Sequence, residues 1–217
     1  MSNDIVRRKV RCYAAPLCTT GLVGWVEEAA DMRGTVRRKM VEGATQVLRR
    51  RGLHATAFSE VLALTGTSRG SIYHHFPGGK AELIEAVLED YTTQLDDQLQ
   101  ALHGQPVEAV VQGALALWRG MLLRDDCESG CPVAAVTVAA DSSRLLQDCR
   151  HAFAQWTGTL AAALKAAGLP PAQAASFATL LMAAVQGAIL LSRAAGDLAP
   201  FDTVAEQLQQ QAAQFAA

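Results

Sequence analysis

The sequence is short of the alternating β-branched patterns that build sheets, and it holds only seven prolines in 217 residues. Both shortages point away from strands and towards an all-α chain. Repeats and low-complexity linkers are missing after Leu83, which leaves apolar helical runs separated by short breaks. The five cysteines (Cys12, Cys18, Cys127, Cys131 and Cys149) are odd in number and irregularly spaced. That pattern argues against a secreted disulfide framework and for reduced thiols in a cytoplasm. A Gly-rich nucleotide loop, a paired acid–base spacing and a Ser/His/Asp arrangement are all missing, so an enzyme is not expected. Cys127 and Cys131 stand four apart, but a structural zinc usually takes four ligands, and Asp125, Asp126, Glu128 and the distant His151 do not complete a set. No metal or cofactor is therefore expected.

What is present is a charge asymmetry hidden under a net charge of -2. From Arg33 to Glu82 nine basic residues face three acidic ones, a net of +6; from Leu83 onward six face fourteen, a net of -8. A basic segment joined to an acidic one fits a phosphate-binding module beside a part with no affinity for phosphate. Solvated basic helix faces would give the same count, so charge alone does not decide. Half of the residues are hydrophobic, ample for a buried core.

The most informative stretch runs from Phe58 to Phe76. Gly66 is placed to end one helix in the left-handed conformation that glycine adopts at little cost. Ser68 is placed to cap the next, and Pro77 stops it. Helix, glycine turn and capped helix outline a helix-turn-helix. In the second helix Ile72 and Phe76, four apart, should face the core, while Arg69, Ser71, Tyr73 and His74 point elsewhere and Gly70 permits a close backbone approach. Arginine pairs with a guanine edge; serine, tyrosine and histidine suit bases or phosphates. Tyr73 has a second reading as a ring anchoring the module, and His74 and His75 as solvated or capping imidazoles.

Upstream, Thr35 can cap a helix with Val36, Met40, Ala44, Val47 and Leu48 on one stripe, ended by Gly52. Thr56 precedes a helix whose apolar positions are Phe58, Val61, Leu62 and Leu64. Lys80 opens a long helix from Ala81 to about Leu102. A cation there opposes the helix dipole, which makes sense if an external phosphate sits on it. The basic run Arg7-Arg8-Lys9-Val10-Arg11 and the apolar run from Cys12 to Val26 superficially resemble a signal peptide. Pro16, Gly21 and Gly24 interrupt that run, which is also too short and polar to span a bilayer. A basic arm, a helical extension and sequence upstream of a start at Met32 remain as readings.

Together, Gly52-Leu53-His54-Ala55-Thr56, the Gly66 turn, Ser68 to Phe76 and Lys80-Ala81-Glu82-Leu83 resemble the DNA-binding domain of TetR-type transcriptional regulators. Phe58-Ser59-Glu60-Val61-Leu62, Pro77-Gly78-Gly79-Lys80 and Gly130-Cys131-Pro132-Val133 resemble the LmrA/YxaF-like subgroup in particular. Thr67-Ser68 stands where that subgroup often has Ala-Pro. The resemblance implies a helix-turn-helix domain over 33–82 and a helical ligand-binding and dimerisation domain over 83–217; the long extension over 1–32 departs from the family's pattern. The implied partners are a palindromic double-stranded DNA operator, a second copy of the chain and a small hydrophobic or aromatic effector that releases a repressor; no membrane is involved. The DNA-facing set is Arg37, Thr56, Thr67, Ser68, Arg69, Gly70, Ser71, Tyr73, His74 and Lys80.

In the second half, helices are expected from Pro106 to about Leu123, from Ser142 to Ala167, from Pro171 to Ala195 and from Phe201 onward. The very apolar Pro171–Ala195 helix must be buried on several sides. The resemblance implies that the last two helices form a four-helix bundle with a partner's, where Ala183, Ala184, Gly187 and Ala188 would allow close contact. A mostly apolar effector pocket would draw on Trp118, Met121, Leu122, Cys131, Val136, His151, Trp156, Met182 and Gln186, with Gln112 and Cys149 as further polar contributors. Each of these has an alternative reading as plain core. The rival to the whole account is a thiol-based redox sensor or oxidoreductase using Cys127 and Cys131.

Overall fold

In a computed structural model of the chain, residues 21–215 are described, with side chains from Gly34 onward. Cys12, Cys18 and the basic run Arg7 to Arg11 lie outside the described residues. Residues 36–217 form one compact unit, and the described residues contain helices and no strand.

Helix α1 spans Gly21–Ala55, so it passes through Thr35 instead of starting there. Good helix formers precede the threonine (Glu27, Glu28, Ala29, Ala30), and no proline or capping geometry interrupts them. Gly52 breaks the helical geometry near the far end, with φ 79° and ψ 178°. Thr56 consolidates that break: its hydroxyl donates to Gly52 O at 2.9 Å and its backbone N–H to Leu53 O.

Helix α2 (Phe58–Thr65) ends where expected, on Gly66 with φ 67°. Helix α3 (Arg69–His75) follows, stopped at Phe76 before Pro77. Met40, Ala44 and Leu48 of α1 meet Val61, Ile72 and Phe76, all at 0% exposure, so the apolar spacing read from the sequence does build a core. Leu64 is the exception at 53% exposure. Helix α4 (Lys80–Gln100) continues the same core through Leu83, Ile84 and Val87.

The remaining helices are α5 (Val107–Arg124), α6 (Pro132–Ala139), α7 (Ser143–Ala166), α8 (Pro171–Ala195) and α9 (Ala199–Ala213). Helix α7 packs between α4 and α8, and α9 closes over α5 and α8. Trp156 is buried between them, its indole N–H donating to Thr92 O at 3.0 Å, with Tyr91 and Phe153 edge-on to its ring. Helix α8 is long and apolar enough by composition to cross a membrane, and 44% of its most apolar stretch is buried within this unit. Its buried side includes Phe177, Leu181, Val185, Ile189 and also Ala188. Ala188 therefore belongs to this chain's own core and is withdrawn from the contact stripe expected above. Ala184 is half-buried, and Ala183 and Gly187 remain exposed beside Leu180, Leu190 and Leu191.

Candidate nucleic-acid interface

The outer surface of α3 is set by its two ends. Ser68 accepts a hydrogen bond from Ser71 N at 3.2 Å, satisfying one orphan donor of the first turn. Ile72 and Phe76 anchor the opposite side. Ser68→Ala should lower stability by about 1 kcal/mol, read as a shifted urea midpoint with an unchanged slope. The anchored helix leaves Arg69, Gly70, Tyr73 and His74 exposed, with Ser71 half-buried between them. Tyr73, 55% exposed, also stands edge-on to Phe58 at 5.4 Å, so the ring is braced by α2 while most of it faces solvent. Arg37 is exposed on α1, its guanidinium 5.1 Å from the Phe76 ring centre.

Three members of the expected DNA-facing set are placed differently. Thr56 is buried at 1% exposure with its hydroxyl committed to Gly52 O, so it cannot meet a phosphate; its task is to hold the end of α1. Thr67 is half-buried and shares a 2.7 Å hydrogen bond with Thr65. Lys80 reaches back across the module, its ammonium donating to Leu53 O at 2.6 Å and His54 O at 3.4 Å. Burial lowers its pKa. A lysine at the start of α4 thus serves the carbonyl end of α1, where the dipole favours a cation. Glu82 meanwhile accepts the Gly78 N–H at 2.7 Å. The external phosphate invoked for Lys80 is not needed to explain it.

What the sequence reading missed is a junction built on Arg49. Its guanidinium donates to Asp125 Oδ2 at 2.7 Å, Ser129 Oγ at 2.9 Å and Gly130 O at 3.3 Å. Gly130 N returns a bond to Arg49 O at 2.9 Å. The loop between α5 and α6 is thereby tied to α1, and it carries two non-glycine residues with positive φ, Asp126 and Cys127. From α8, Arg193 donates to the backbone oxygens of Arg49, at 3.4 Å, and Arg50. Arg49, Asp125 and Arg193 are separated by up to 144 positions. No local signal could pair them.

A cavity of about 550 Å³ lies at this junction, and the expected effector residues Cys131 and Gln186 line it. Trp118, Met121, Leu122, Val136, Trp156 and Met182 are at most 5% exposed and pack in the core. Cys149 is buried too, its thiol 3.6 Å from Val133 O, and Gln112 is exposed. His151 lies elsewhere, on a polar cleft of about 820 Å³ with Glu85, Arg144 and Asp148. Cys127 and Cys131 are buried free thiols. Burial raises both, Cys131 to about 11, which keeps them protonated and poorly nucleophilic at neutral pH. Among the described residues no group of three metal-ligating side chains comes together.

A capped reading helix on a three-helix head, joined to a helical body, is the architecture of a one-component DNA-binding regulator. Residues 40–87 match the family model for bacterial regulatory proteins of the tetR family, and residues 106–207 match that for the LmrA/YxaF-like transcriptional regulator C-terminal domain. An uncharacterised HTH-type transcriptional regulator of Mycobacterium tuberculosis is 39% identical over 191 residues, covering 80% of this chain and 92% of the relative. The HTH-type transcriptional regulators YxaF and LmrA of Bacillus subtilis are 33% and 29% identical, covering 81% and 77% of this chain and 94% and 91% of their own. A TetR-family regulator from Agrobacterium tumefaciens superposes with a TM-score of 0.72 over 82% of this chain and 98% of that one, at 21% identity. The chain belongs to the TetR family of transcriptional regulators, with an LmrA/YxaF-like C-terminal domain.

Proposed function

We propose that the protein is a homodimeric repressor that leaves a palindromic operator when a small hydrophobic or aromatic molecule binds. The observation that carries the reading is the division of α3: Ile72 and Phe76 are fully buried, while Arg69, Gly70, Tyr73 and His74 are presented outward. Residues 33–82 are the DNA-binding part and 83–217 the effector and dimerisation part. Two α3 helices would enter successive major grooves, roughly 34–36 Å apart. The exposed stripe Leu180, Ala183, Gly187, Leu190 on α8 has the helical spacing and the small residues that a subunit contact needs. The site of action is the cytoplasm, where the operator is.

Release follows if the effector binds better to a conformer in which that spacing is wrong. The Arg49 junction supports this route, since it links the last turns of α1 to the α5–α6 loop and to α8. An electrophoretic shift with the DNA flanking the gene tests the core claim. The expected result is a complex that prefers one inverted repeat and weakens steeply with salt. Binding without sequence preference would discard the repressor reading.

A further inference from the structure

The cavity at the Arg49 junction has walls of one character and a rim of another. Leu53, Ala135, Val138 and Ile189 supply an apolar lining, with Val138 87% exposed, and Gly187 and Leu190 at its edge belong to the stripe assigned above to the subunit contact. Among the described residues the titratable groups that line it are Arg49, Arg51, His54, Cys131 and Arg193, with no carboxylate. Two of the three arginines have their charge answered outside the cavity, Arg49 by Asp125 and Arg51 by Glu60. Arg193 does not. Among the described residues its partners are the neutral carbonyls of Arg49 and Arg50.

We infer that this cavity takes an apolar molecule bearing one carboxylate, which pairs with Arg193; the inference rests on the effector-release reading above and gives that effector its chemical class. A guanidinium held by two neutral carbonyls gains when a carboxylate offers a bidentate, charge-assisted pair. The volume, about 550 Å³, is that of a small-molecule site, and the lining suits a hydrocarbon body. The same pairing carries a mechanical consequence. The carboxylate competes with Arg49 O and Arg50 O for Arg193, and those oxygens lie just before the Gly52 break that ends the helical part of α1. Binding therefore loosens α8 from the helix that supports α2 and α3. Ligand and operator are coupled because both depend on where one guanidinium sits.

Calorimetric titration of the DNA-free full chain with decanoate and with 1-decanol separates charge from hydrocarbon. Decanoate should bind roughly tenfold or more tightly than the alcohol, the margin of a hydrogen-bonded charge pair. Arg193→Gln keeps a donor for the carbonyls but should erase that preference, whereas Arg193→Lys should keep part of it; melting curves identify any variant that fails to fold. Equal binding of acid and alcohol, or a preference that survives in a folded Arg193→Gln, overturns the inference. Failure of both ligands to bind would overturn it equally. Decanoate that binds through Arg193 and leaves the operator complex intact upholds the ligand class and overturns effector release instead.

Discussion

Asp96→Ala should lower the folding free energy by about 3 kcal/mol, the range in which a buried charge network is broken by losing its central member. Asp96 is 3% exposed near the C-terminal end of α4, yet it is not an isolated charge. Thr159 donates to its Oδ1 at 2.6 Å, and Gln155 and Gln100 to its Oδ2 at 2.8 and 2.7 Å. Two of those donors belong to α7, so the carboxylate joins α4 to α7, as do the Trp156 indole bond to Thr92 O and the Arg144–Glu85 pair. Alanine would remove three acceptor bonds and leave a cavity. The midpoint of urea unfolding, followed by circular dichroism, reads the loss directly. A drop below about 1 kcal/mol would mean that water replaces the carboxylate without difficulty.

The same residue sets a pH dependence. Burial pushes the Asp96 carboxyl up, but the hydrogen bonds from Thr159, Gln155 and Gln100 outweigh it, and the net pKa is lowered. A group whose folded pKa lies below its unfolded value stabilises fully above the unfolded value, about 3.9 for aspartate. That stabilisation is lost as pH falls through the folded value. Asp96→Asn keeps an acceptor for Thr159 but turns an amide towards the two glutamines unless they flip. It should cost less than alanine, and stability between pH 5 and 2 should depend less on pH than in the parent.

What could be read from the sequence follows the range of the forces involved. Gly66, Ser68 and Pro77 act on their immediate neighbours, so the end of α2 and the start of α3 were legible to the residue and the end of α3 to within one. Ile72 and Phe76 were legible because helical spacing alone puts them on one side. Thr35 misled because a threonine can cap a helix or continue one, and only the chain upstream decides. Trp118 and Trp156 look alike as apolar candidates for a pocket or a core; what separates them from Cys131 and Gln186 is which helices meet where. Asp96 counted merely as one of fourteen acidic residues, since nothing near it announces donors some sixty positions away. Lys80 was noticed as a cation at the wrong end of a dipole, but its carbonyl partners on α1, Leu53 O and His54 O, lie too far along the chain to be read locally.

That placement changes what two substitutions in the reading head should do. Arg69→Ala should weaken binding to the preferred operator by about ten- to a hundredfold and flatten the difference between operators. Arg69 opens α3, where a cation opposes the dipole, and it is fully outside the core. Folding does not explain its presence there, so the melting temperature should hold or rise slightly when it is removed. Lys80→Ala should do the reverse. With its ammonium gone, Leu53 O and His54 O lose their donor, the end of α1 loosens and the melting temperature falls. Operator binding weakens as well, because α1 backs α2 and α3. The salt dependence tells the two routes apart. A lysine that neutralises a phosphate changes the slope of log K against log salt by about 0.9 when it is removed, whereas a lysine committed to backbone carbonyls leaves the slope unchanged. We expect the unchanged slope. A loss of about 0.9 with an unaltered melting curve would return Lys80 to the DNA surface and make its bonds to α1 incidental.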